Sequence, residues 1–160
     1  MSEKRSDGSI PRPEDNSAEK MVFLQEQMVS FLNQYSMPLL ETSLVLSKYT
    51  KQISAALKEH AHQKGEIVPP ILSQPWPLIG RDSESSSDFD FEMDTLIENV
   101  DYDRMDIFDT ILRTAIHATE LPLGDSLMQL RQWEHLARNQ LASARSPGQL
   151  FSPIEIPDDW

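Results

Sequence analysis

Four histidines, His60, His62, His117 and His135, are the residues of this chain best suited to metal binding or proton transfer. Their spacing supports neither. On a helix, His60 and His62 would stand about 200° apart around the axis and could not share an ion. A chelating helical pair needs i,i+4 spacing. Carboxylates are abundant, with 26 acidic residues against 14 Lys and Arg. Catalytic or metal-holding carboxylates, however, converge from separate elements, and most of these crowd into one run. The stretch Asp88–Asp94 (DFDFEMD) alternates acid with apolar groups but lacks the turn glycine and closing glutamate of a calcium loop. No phosphate-cradling glycine loop, HExxH or GxSxG pattern occurs. The absence of cysteine removes disulfides, thiolate metal sites and cysteine nucleophiles. The residues therefore predict a non-enzymatic protein with no catalytic group, metal or cofactor.

What remains is chemistry of recognition. Between Asp82 and Asp109, eleven acidic residues stand against a single basic one, Arg104, within a chain of net charge −12. Phe89, Phe91, Met93, Leu96 and Ile97 are threaded through them. A purely acidic run stays solvated. Acid interleaved with bulky apolar groups suits docking on a basic, apolar surface, with those five residues as partner-binding contacts. Lys48, Lys51 and Lys58 form a basic face on which the run could dock internally. Ser85 and Ser87 each precede an acid by three residues, and Ser146 and Ser152 precede proline, so all four are candidate phosphorylation sites.

These groups must be positioned by helices. Residues 1–15 read as a disordered leader. Residues 16–64 read as one long amphipathic helix kinked at Pro38, or a helix pair, with Asn16 and Glu19 at capping-box spacing. Ser36 is expected to cap its second half, and Gly65 to stop it. The apolar stripe exceeds what the remaining helices can cover, which predicts an interface, between copies or with a partner, through Phe31, Tyr35, Val45, Tyr49 and Ile53. Residues 65–88 join a proline-rich apolar strap, expected to lie extended on the helices, to the acidic serine cluster. Residues 89–144 hold the acidic-aromatic segment and two helices, the first capped by Asp101 or Asp103, the second by Asp125. Residues 145–160 form an extended tail anchored by Phe151 and Trp160. No internal repeat is evident.

The expected fold is all-α: a small helical bundle or hairpin assembly with a disordered acidic segment and disordered tails. The expected function is that of an adaptor, subunit or regulatory protein acting on protein partners with a basic and apolar surface. The alternatives are an acidic activation-type module that folds on its partner and an acidic assembly or secretion chaperone. The charge disfavours nucleic acid. No apolar run has the length of a membrane span. With no leader of the signal-peptide type, an intracellular location is expected, in cytoplasm or nucleus.

Overall fold

Asn16 adopts an extended conformation and its side chain accepts the Glu19 N–H at 2.9 Å, so the first helix, α1 (Ser17–Tyr35), starts at the predicted cap. This computed structural model describes residues 10–78 and 93–160. Phe23, Leu24, Met28, Phe31 and Leu32 give α1 one buried stripe. At Ser36 the backbone turns left-handed (φ 45°, ψ 48°), and the Met37 N–H closes onto the Leu32 carbonyl at 3.2 Å. Pro38 then begins a new direction. Residues 16–64 are thus two helices, and Ser36 closes the first instead of capping the second. Helix α2 (Leu39–Gln63) stops at Gly65, whose φ of +71° is the left-handed geometry glycine adopts freely.

A single turn, α3 (Pro70–Ser73), and a short helix, α4 (Met93–Ile97), lead to α5 (Tyr102–Thr119) and α6 (Leu123–Ser143); α7 (Pro147–Leu150) is again one turn. Asp101 caps α5 by accepting the Arg104 N–H at 3.1 Å. Asp125, expected as the cap of α6, lies in its first turn, because Pro122 holds the cap position. The described residues form no strand, so the all-α class holds.

The turn between α5 and α6 repeats the turn between α1 and α2. Glu120 is left-handed (φ 53°), Leu121 closes onto the Ile116 carbonyl at 3.1 Å, and Pro122–Leu123 starts the next helix. Thr42 and Ser126 each bond the proline carbonyl four residues back at 3.0 Å. A shift of 84 residues superposes these turns and the burial pattern: Leu24 on Phe108, Met28 on Leu112, Leu32 on Ile116, Leu46 on Leu130, Tyr49 on Trp133. Equivalent helices pack together, α1 on α5 and α2 on α6, and α1·α6 mirrors α2·α5. The protein is two helical hairpins with the contact pattern of a pseudo-two-fold, a repeat the sequence does not reveal by identity.

The main core joins all four long helices, with Trp133, Phe108, Leu46, Leu112, Leu127 and Leu130 fully buried. Burying each such side chain contributes about 1.5–3 kcal/mol. The stripe expected to stay uncovered is covered within the chain: Phe31, Val45, Tyr49 and Ile53 are core, and Phe31 stacks on Phe108 at 5.4 Å. Only Tyr35 of that set is exposed.

The strap lies on α6, held mainly through its carbonyls. Arg131 Nε donates to the Leu72 carbonyl at 3.0 Å, Arg138 to that of Trp76 at 2.6 Å, and His135 meets that of Pro77 at 3.1 Å. The tail also lies on the body. The Leu39 N–H donates to the Ser152 carbonyl (2.8 Å), the Ile154 N–H to the Met37 carbonyl (3.3 Å), and Trp160 meets Trp133 edge-on at 4.8 Å.

Candidate functional site

Within the described part of the acidic run, the chain spends its single basic residue inward. Glu41 of α2 is buried, and Arg104 meets it with two bonds of 2.7 Å, Nε to Oε1 and Nη2 to Oε2. The Asp101 N–H adds a third donor at 3.3 Å. Hydrogen bonding to Glu41 raises the Arg104 pKa above its ordinary value and keeps the guanidinium charged. A bidentate pair of this kind fixes orientation as well as charge. The acid that Arg104 neutralises lies outside the run. Among the described ion pairs, only Asp109 of the run has a cation, Arg113, at 2.8 Å.

Below that pair sits a small second core of Leu40, Leu96, Val100, Ala144 and Leu150. Leu96, expected as a partner contact, is therefore internal, and Ile97 is half-buried. Phe89, Phe91, Ser85, Ser87 and the Met93 side chain lie outside the described residues. Phe151 packs against the second core and Trp160 against the main one, so both tail anchors are seated on their own chain. Ser146 and Ser152 are exposed, and the Ser152 hydroxyl donates to the Gly148 carbonyl at 2.8 Å.

The surface left outward is the N-terminal half of α5. Tyr102 is 57% and Ile107 47% exposed, and Asp103, Asp106 and Thr110 are exposed beside them. At 100° per residue these five span an arc of about 140°. The exposed apolar residues on this face are Tyr102 and Ile107, set among acids. Residue type alone does not separate Ile107 from the covered apolar residues of α5; burial does.

His60, His62 and His117 are exposed. The described residues contain no group of three or more His, Asp or Glu able to hold a metal. Lys48, Lys51 and Lys58 are exposed, and the bonds from the described part of the run to α2 are those of the Arg104 guanidinium and the Asp101 N–H to Glu41. No helix among the described residues is long and apolar enough to cross a membrane.

Between α2 and α5, Arg113 bridges three groups: Asp109, Gln52 and the Tyr49 ring, with the guanidinium 4.6 Å from the ring centroid. Burial raises the Tyr49 pKa above 10.0, Arg113 opposes the shift, and Asp109 adds to it. The phenol therefore keeps its proton longer in the folded state. Its stabilising contribution is complete below pH 10 and is lost as pH rises through the raised folded value. Tyr49→Phe should remove this part of the alkaline loss of stability, measured by denaturant titration from pH 9 to 12. A curve unchanged in shape would place the loss elsewhere.

The chain matches no family model, no curated protein and no solved structure.

Proposed function

We propose that this protein is a non-enzymatic adaptor or regulatory subunit that binds a protein partner with a basic and apolar surface. The observation that carries this reading is the α5 face, where Tyr102 and Ile107 stand exposed among Asp103 and Asp106 while the nearby Arg104 is turned inward. Unneutralised acid speeds encounter and selects a basic surface, and the two apolar side chains supply the contacts that decide affinity. An ordered second core under Leu96 favours an adaptor over a module that folds only on its partner.

The full chain as bait, with captured proteins identified by mass spectrometry, tests this. Tyr102→Ala/Ile107→Ala should abolish capture while changing stability by no more than about 1 kcal/mol, because both side chains are exposed. Leu96→Ala should do the reverse, costing about 2 kcal/mol at the low end for a small cluster and leaving capture intact while the chain is folded. Capture should also weaken as salt rises. Undiminished capture by the Tyr102/Ile107 variant would sink the proposal.

A further inference from the structure

A cleft of about 650 Å³ opens between α1 and α6; Val22, Val29 and Trp160 are apolar parts of its lining, Gln25, Gln129 and Gln132 polar ones, and Glu26 and Asp159 its two acids. Neither Lys nor Arg lines it. The hairpin repeat shows what its counterpart holds. In the equivalent groove between α5 and α2, Arg113 lies over Tyr49 and pairs with Asp109. When the two hairpins are exchanged by the 84-residue shift, Arg113 and Asp109 move back to Val29 and Gln25, and Tyr49 moves forward to Trp133. Trp133 keeps the aromatic side chain, fully buried and packed against Trp160, and the chain's own cation is replaced by a short apolar side chain. Gln25 spends its side-chain oxygen on the indole N–H of Trp133 and on the Gln129 amide. Trp160 packs on Trp133 where the guanidinium packs on Tyr49, and its half-buried ring forms part of the cleft wall.

The geometry points to this cleft as the seat for an arginine side chain of a partner segment, flanked by an apolar residue. The guanidinium would lie on Trp160 between Glu26 and Asp159, and the flanking side chain would cover Val22, which is 56% exposed. Arginine fits better than lysine because a planar cation can stack on an indole while bonding carboxylates in its own plane. Charge favours the same occupant, since two acids and no base line a cleft of mixed polar and apolar side chains in a chain of net charge −12. This inference rests on the reading of the chain as a binding protein and names the chemistry of a second contact surface.

The test is a titration of the isotopically labelled full chain with the peptide acetyl-Leu-Arg-Leu-amide, followed by heteronuclear NMR. Parallel titrations replace the arginine by citrulline, which has its shape without its charge, or by lysine. Binding should shift the Trp160 indole and the Gln25 and Gln129 side-chain amides. Citrulline should weaken binding by about tenfold or more, and lysine by several-fold. Glu26→Gln/Asp159→Asn changes two exposed side chains and should weaken the arginine peptide by about tenfold with the rest of the spectrum unchanged. Equal binding of the citrulline or lysine peptide, shifts confined to other surfaces, or an unaffected double variant would each overturn the assignment. If the cleft fails while Tyr102→Ala/Ile107→Ala still abolishes capture, only the cleft assignment falls and the binding function stands.

Discussion

Arg131→Met should cost the folded protein about 3–5 kcal/mol, the range for leaving one partner of a buried ion pair unpaired. Arg131 is 3% and Glu134 5% exposed, the most deeply buried ion pair described in the chain. The guanidinium bonds the Glu134 carboxylate at 2.8 Å, and the Thr50 hydroxyl donates to the same carboxylate at 3.0 Å. Thr50 and Glu134 are equivalent positions of the two hairpins, so the network sits where the halves meet. Removing the guanidinium strands a carboxylate with one neutral donor and also frees the Leu72 carbonyl. The strap should then exchange its amide hydrogens faster than in the parent. Arg131→Met/Glu134→Leu should recover much of the loss, since replacing a buried pair by apolar groups of similar volume is often neutral. Thr50 would stay satisfied through the Ser47 carbonyl at 3.0 Å. Chemical denaturation of the three proteins reads this directly. A single variant within 1 kcal/mol of the parent would mean the pair is not desolvated in solution.

This network also shows where sequence reading stops. Periodicity and capping chemistry located α1, α2, α5 and α6, because their apolar spacing and Asn16, Asp101 and Gly65 act locally. Arg131 and Arg138 carry no local signal of what they bond. Their bonds to the Leu72 and Trp76 carbonyls depend on a strap 59 and 62 residues away in sequence. The prolines misled in a consistent way. Pro70 and Pro147 argue against helix when read alone, yet each opens a single turn at the position where a missing N–H is harmless. Residue type makes Ser36 and Asp125 cap candidates, but the tight αL–X–Pro turn leaves those roles to the backbone. The repeat was invisible because the fold retains volume and burial, not identity. Met21/Met105, Pro38/Pro122, Leu39/Leu123, Leu46/Leu130 and Leu57/Leu141 are identical, while most paired core positions differ in type. As for the site, the acidic-apolar chemistry was legible. The assignment of Leu96 to the core and of Tyr102 and Ile107 to the surface was not, because it depends on Leu40, Ala144 and Leu150 arriving from distant segments.

The two hairpin turns differ in one respect that sets the value of the tail. Leu39 is 4% exposed, whereas its equivalent Leu123 is 37% exposed. The difference is the tail, which bonds across Met37 and Leu39 and places Ile154, 6% exposed, in the main core. Gln140 and Glu155 then exchange two bonds, of 2.6 and 2.9 Å, and Trp160 closes over Trp133. Ile154→Ala should cost about 2–4 kcal/mol as a buried large-to-small change. A segment docked on a folded body can open locally without unfolding the rest, however, so the cost cannot exceed the free energy of docking. Removing residues 151–160 should therefore lower stability by about the same amount as the single substitution, because in both cases the tail leaves. In a Trp76→Phe background, where Trp133 becomes the only indole after truncation, its quenching by acrylamide should rise sharply. A truncation that leaves stability and Trp133 shielding unchanged would show that the tail does not hold this seat. A truncation costing several-fold more than Ile154→Ala would show that Trp160 and the Gln140 bonds, not Ile154, anchor it.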